Sequence, residues 1–214
     1  MRPWQHGRVR AEPTTLDAVV AHVADRVLAR PGGSPTRVLV DGHPSTRPEA
    51  LADALVAPLE AAGRPVARVR SRDFLRPRSL RLEQGRRNPD ALLDGWVDAG
   101  ALDREVLRSV VERGRYLPTL RDPDTDRPTR APYADAPAGI VVVLDGTLLV
   151  GQGLDVDLTV HLALRPDTET RRTPLEEAWT LAAYGRYRRE QAPERRADVV
   201  VRVDHADRPA LVVR

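Results

Sequence analysis

The residues best placed to handle a phosphate lie between Arg37 and Leu59, RVLVDGHPSTRPEALADALVAPL. Gly42 opens a spacing in which Gly-x-x-x-x-Gly-Lys-Ser/Thr would cradle phosphates with backbone N–H groups. The lysine of that pattern reaches the β- and γ-phosphates and the hydroxyl holds Mg²⁺. Here the second glycine position is Arg47, the lysine position Pro48 and the hydroxyl position Glu49. Arg47 removes the room and the positive φ that glycine allows. Pro48 removes both a cation and an N–H donor. Glu49 brings a negative charge, which at about 4 Å and an effective dielectric of ~20 repels a phosphate charge by ~4 kcal/mol. That is about a thousandfold in affinity. Thr46-x-x-Glu49 instead has capping-box spacing, with Pro48 and Glu49 suited to a first helical turn. The expectation is an anion site filled by the chain's own Glu49 carboxylate.

Strand and helix patterns must position this loop. Val38–Val40 is a short apolar run, and Leu51, Leu55 and Leu59 recur at helical spacing behind the loop. Upstream, Thr14-x-x-Asp17 is the expected cap of a helix carrying Leu16, Val19, Val20, Val23 and Val27, and residues 1–12 read as a loose lead-in. Pro58 conflicts with the second helix and predicts a kink or an early end. Further strands are expected at Val66–Arg70, Ile140–Leu144, Leu158–Leu164 and Val199–Val203, with a short tail after the last. Helices are expected at Asp103–Arg113 and Pro174–Glu190, one short helix within residues 71–100, and an extended loop from Pro118 to Pro137. Five strands separated by helices or long crossovers imply a single α/β domain over residues 1–214, a five-stranded parallel sheet covered on both faces. Ligands of such sheets bind beyond the carboxyl ends of the strands, where Asp41-Gly42 and Asp145-Gly146 fall.

Composition sets limits. The 214 residues contain no cysteine, which removes disulfides and thiolate metal sites and fits a cytoplasmic location. No apolar run is long enough to span a membrane, and MRPWQHGRVR lacks a signal-peptide core. All of the Lys+Arg total is arginine, so no lysine elsewhere can replace the missing one. Nine arginines between Arg64 and Arg87 face only Asp73 and Glu83, which suits either solvated ion pairs or a nucleic-acid surface. Phe74 is the only aromatic interleaved there, which weighs against base stacking. The histidines His6, His22 and His205 show no metal-ligand spacing, His161 reads as a packed strand residue, and His43 sits in the altered loop.

Taken in order, RVLVDG with ALADAL, GRPVARV, DFLRP, GRRNPDALLDGW, DTDRPTRAPY, IVVVLDGTLL and ADVVVRVD resemble the uridine kinase family of P-loop nucleoside kinases, in its actinobacterial form. The resemblance spans residues 15–211, nearly the whole chain. It implies ATP and Mg²⁺ as donor and a ribonucleoside 5′-hydroxyl as acceptor. It also implies a nucleotide site at Gly42, His43, Ser45, Thr46 and Arg47, with lid arginines Arg171 and Arg172. Asp145 corresponds to the acidic residue ending the Walker-B-like strand. Asp94, Trp96 and Asp98 match the nucleoside-contacting stretch. The family's base would fall on Arg72; Asp73 is one residue late, on the opposite face of an extended segment, and stands as the candidate base.

The departures point to a uridine kinase-like protein with a degenerate Walker A loop. It would keep a nucleoside or nucleotide cleft, with a homodimer or protein partner open, and carry weak or no ATP-dependent phosphoryl transfer. The alternatives are an active uridine/cytidine kinase using Arg47 and Asp145 with ATP and Mg²⁺, and a basic nucleic-acid-binding module.

Overall fold

The computed structural model describes residues 10–205 and 208–213. A seven-stranded sheet forms the centre, built from β1 (Arg10–Pro13), β2 (Thr36–Gly42), β3 (Val66–Arg70), β6 (Val141–Gly146), β7 (Leu158–Ala163), β8 (Val199–Arg202) and β9 (Ala210–Val213). A separate two-stranded ribbon joins β4 (Arg115–Tyr116) to β5 (Ala134–Asp135). Strand order in the large sheet is β1-β9-β8-β7-β2-β6-β3. The five strands from β8 to β3 are parallel, as the sequence leads one to expect. The expected tail is in fact β9, antiparallel to β8, and Arg10–Pro13 of the expected lead-in is β1, antiparallel to β9. Their four-residue edge pairing carries no buried periodicity to announce it.

The central strands β2, β6 and β8 carry continuous apolar runs because both faces are covered, whereas the outer parallel strand β3 alternates, with Arg68 and Arg70 between apolar residues. On one face Val38, Val40, Val141, Val143 and Val160 meet α1 (Leu16–Leu28), α2 (Pro48–Ala54) and α3 (Val56–Ala61). Thr15, not Thr14, caps α1, its hydroxyl accepting from the Ala18 N–H at 3.2 Å. Leu55 separates α2 from α3, as Pro58 requires: it has no N–H to continue the helical ladder.

On the other face Leu39, Val69, Val142 and Leu144 pack under α5 (Pro89–Gly95), the segment from α6 (Ala99–Leu102) to α7 (Ser109–Glu112), and α9 (Leu181–Gln191). The expected helix at 103–113 is α6 and α7 joined through a π turn at Asp103–Leu107. Residues 71–100 hold two short helices, α4 (Arg78–Arg81) and α5, rather than one. The expected helix from Pro174 begins as a 3₁₀ turn, Leu175–Thr180, before α9; α8 (Pro166–Arg172) precedes it and α10 (Pro193–Arg196) follows. No described helix is long and apolar enough to cross a membrane.

Candidate functional site

The carboxyl end of β2 leads into a loop that closes on itself. His43 turns into a 3₁₀ segment, Pro44–Thr46, and Arg47 takes left-handed backbone angles (φ 57, ψ 58) before Pro48 starts α2. The N–H of Ser45 donates to His43 Nδ1 at 3.1 Å, that of Thr46 to the His43 carbonyl at 2.8 Å, and that of Arg47 to the Pro44 carbonyl at 3.0 Å. Thr46 Oγ1 folds inward onto the His43 carbonyl at 2.7 Å. It lies 2.5 Å from where a Cβ on Gly42 would stand, so the hollow of the loop is already full.

The expected capping box is absent. Because Arg47 adopts the left-handed conformation, it, not Thr46, precedes the helix, and it makes no side-chain cap. Thr46 is therefore turned away from the Glu49 N–H. The Glu49 carboxylate is half exposed and 3.8 Å from Arg47. The Thr46 hydroxyl and the His43 ring, not the Glu49 carboxylate, are the groups folded back onto the loop.

His43 is buried, with its ring 4.4 Å from that of Tyr184. Burial, and then the charges of Arg188 and Arg172, push its pKa down to about 4. Since Nδ1 accepts from Ser45, the hydrogen bonds assign the proton to Nε2, which meets Thr173 Oγ1 at 3.3 Å.

At the end of β6, Asp145 is ion-paired with Arg68 at 2.5 Å, although the angle does not make a hydrogen bond and Oδ1 is otherwise unpartnered. Arg68 rises from β3, also holds Asp53 at 2.7 Å, and donates to the Val69 carbonyl. Burial raises the Asp145 carboxyl pKa, against the lowering effect of Arg68. Asp73 is not on an extended segment: Ser71–Phe74 is a 3₁₀ turn, so strand alternation does not decide its direction. Burial raises its carboxyl pKa too, and it feels the negative charge of Asp145. The two candidate acids therefore share one electrostatic neighbourhood at the ends of β3 and β6. Gly146 is needed there for close approach, since a Cβ would collide with Ser71 and Leu149.

Other expected site residues have structural duties. Arg172 donates to the carbonyls of Val203 and Asp204 at 3.0 and 2.9 Å, and Arg171 to Thr168 at 3.1 Å. Arg172 nevertheless joins Ser45, Thr46 and Arg47 around a hollow of about 300 Å³. Asp98 caps α6 through the Ala101 N–H, and Asp94 pairs with Arg186 at 2.6 Å. Trp96 lies between Trp179 and the guanidinium of Arg81. Much of the basic stretch is engaged: Arg64 is buried on the Gly139 carbonyl, Arg72 pairs with Asp124 and Arg81 with Asp126.

A larger cavity, about 480 Å³, opens under α9 and α10, lined in part by His43, Thr147, His161, Glu169, Tyr184 and Arg188. Next to it lies a group that sequence reasoning missed. Asp41, fully buried, accepts from the Leu149 N–H (2.9 Å) and the Tyr187 hydroxyl (2.8 Å), and meets His161 Nδ1 at 2.8 Å. The available signal was a histidine inside an apolar strand, which must find a buried partner.

No family model matches the sequence, and no curated protein matches it. Solved structures do match in shape. A "possible uridine kinase" from Bacillus stearothermophilus shares 19% identity at a TM-score of 0.70, covering 86% of this chain and 98% of the other. A candidate fructose transport system kinase from Silicibacter sp. TM1040 shares 18% at 0.58, covering 86% and 95%. D-Glycerate 3-kinase from Cryptococcus neoformans var. grubii shares 17% at 0.50, covering 82% and 80%. At these identities the likeness establishes the fold: a P-loop kinase-like sheet with helices on both faces, carrying two extra antiparallel strands at one edge.

Proposed function

We propose that this P-loop kinase-like chain is a uridine kinase-like protein that keeps a small-molecule cleft for a nucleoside or nucleotide but does not perform ordinary ATP-dependent phosphoryl transfer at its altered loop. One observation carries the reading: three successive loop N–H groups, those of Ser45, Thr46 and Arg47, already donate within the loop. An incoming phosphate would have to break these bonds before gaining any of its own.

ATP with Mg²⁺ does not fit the residues present. The chain has no lysine, Pro48 and Glu49 stand where cation and hydroxyl belong, and Asp145 is neutralised by Arg68. The nucleoside class rests on the sequence resemblance and on the possible uridine kinase among the matched structures. The glycerate kinase on the same fold is a reminder that the fold by itself does not choose the acceptor.

Asp73, which feels the charge of Asp145, is the observation that favours the second reading, an active kinase, because a carboxyl with a raised pKa at the ends of β3 and β6 suits a general base. A thermal-shift screen of ATP, GTP, uridine, cytidine and their monophosphates, with and without Mg²⁺, separates the two. Stabilisation by nucleosides or monophosphates, with none added by triphosphate and Mg²⁺, is expected. Strong stabilisation by micromolar ATP-Mg²⁺, with uridine-dependent ATP consumption, would establish the kinase instead.

A further inference from the structure

The sheet register sets Asp41 of β2 directly beside His161 of β7, both at the carboxyl ends of their strands. The pairing is therefore fixed by backbone hydrogen bonding rather than by two mobile side chains. A carboxylate only accepts, so the bond at 2.8 Å requires a proton on His161 Nδ1 and leaves Nε2 as the ring nitrogen facing away from Asp41. Tyr187 reinforces this arrangement. Its hydroxyl accepts from the Val150 N–H at 3.0 Å and so donates to Asp41, and burial raises its pKa well above the usual range.

The His161 side chain keeps about 10% of its surface exposed while Nδ1 is covered by Asp41, so the exposed edge is the one toward the cavity. Among the described residues, no hydrogen bond to Nε2 is made. The walls around it combine a hydroxyl pair, Thr147 and Tyr184 at 3.0 Å, with the ion pair of Glu169 and Arg188, and with the ring faces of Tyr184 and His43. Of the lining cations Arg188, Arg189 and Arg195, the first is taken up by Glu169, and Glu194 adds a further acid to the wall. Hydroxyls and an ion pair beside aromatic faces suit a hydroxylated molecule.

We propose that the cavity under α9 binds the sugar portion of a small ligand, with His161 Nε2 hydrogen-bonded to one of its hydroxyls and Asp41 acting as a positioning residue through Nδ1. The inference deepens the reading that the chain keeps a nucleoside cleft, by assigning the ribose to this cavity. It gives the buried Asp41 a role that packing alone leaves unexplained: fixing which ring nitrogen faces the ligand.

The test is nitrogen NMR of the full chain with ¹⁵N-labelled histidine, titrated in turn with ribose, ribitol, uridine, uridine 5′-monophosphate and inorganic phosphate. Uridine and at least one free polyol should shift His161 Nε2, with the exposed-helix His22 unmoved and phosphate without effect. Affinity for uridine should fall about tenfold in His161→Phe, the worth of one hydrogen bond. Asp41→Asn should move the His161 Nδ1 signal, a change that loss of packing without the Nδ1 hydrogen bond would not produce.

Uridine binding that leaves His161 unshifted overturns the inference and spares the nucleoside reading. A polyol shift at His161 without any nucleoside binding does the reverse. Phosphate alone shifting His161, or no ligand binding at all, overturns the inference without needing either variant to fold.

Discussion

Arg68→Met should expose what Arg68 does for Asp145. The two side chains are only 16% and 12% exposed and their charged atoms stand 2.5 Å apart. Removing the cation leaves a buried carboxylate without its counter-charge, a loss of about 3–5 kcal/mol. The bonds from Arg68 to Asp53 and to the Val69 carbonyl are lost as well, but the Asp53 carboxylate is half exposed and adds little. With a urea slope of about 2 kcal/mol per molar, the unfolding midpoint should fall by about 1.5–2.5 M.

The pH dependence has a definite sign. Burial already raises the Asp145 pKa, and without Arg68 it rises further, so the folded state binds the proton before the unfolded state does. Stability then falls as pH rises, and the deficit of the variant should be larger at pH 8 than at pH 5. Arg68→Met combined with Asp145→Leu should recover at least half of the loss, because the unpaired charge is gone. A deficit below about 1 kcal/mol that does not change with pH would mean that Asp145 is solvated and free to hold a cation.

Two further outcomes follow from the loop. His43 has its pKa pushed from 6.5 down to about 4, so the unfolded chain takes up the proton first as pH falls through that window. Stability should drop by about 1–2 kcal/mol between pH 6.5 and 4, after allowing for solvent screening, and His43→Gln should remove that component when urea curves are compared at both pH values. In Gly42→Ala, the new methyl would meet Thr46 Oγ1 at 2.5 Å and Leu162 Cβ at 3.0 Å. The expected cost is about 1–3 kcal/mol by chemical denaturation, and a neutral result would show that the hollow of the loop is open.

The centre of the parallel sheet was legible because β6 and β8 carry apolar runs on both faces; Val66–Arg70, which alternates with Arg68 and Arg70, is also found where the sequence puts it. The edge was not, since β1 contains Glu12 and Pro13 and becomes a strand only by pairing with β9, some two hundred residues later. The altered loop was legible in its losses and misread in its replacement. Spacing alone made Thr46 a helix cap, whereas the left-handed angles of Arg47 shift the cap by one residue and turn the hydroxyl inward. Asp73 was misjudged for a similar reason, because alternation holds in strands and fails in a 3₁₀ turn. The Asp41–His161–Tyr187 group joins residues 120 and 146 positions apart, brought together by the pairing of β2 with β7 and by the packing of α9 on the sheet.

The most direct test of the closed loop is isothermal titration of ATP-Mg²⁺ into the wild-type chain and into a variant carrying Thr46→Gly, Arg47→Gly, Pro48→Lys and Glu49→Thr together. The account predicts no measurable heat of binding with the wild type and saturable binding with the variant. Micromolar binding by the wild type, unchanged or weakened in the variant, would contradict it.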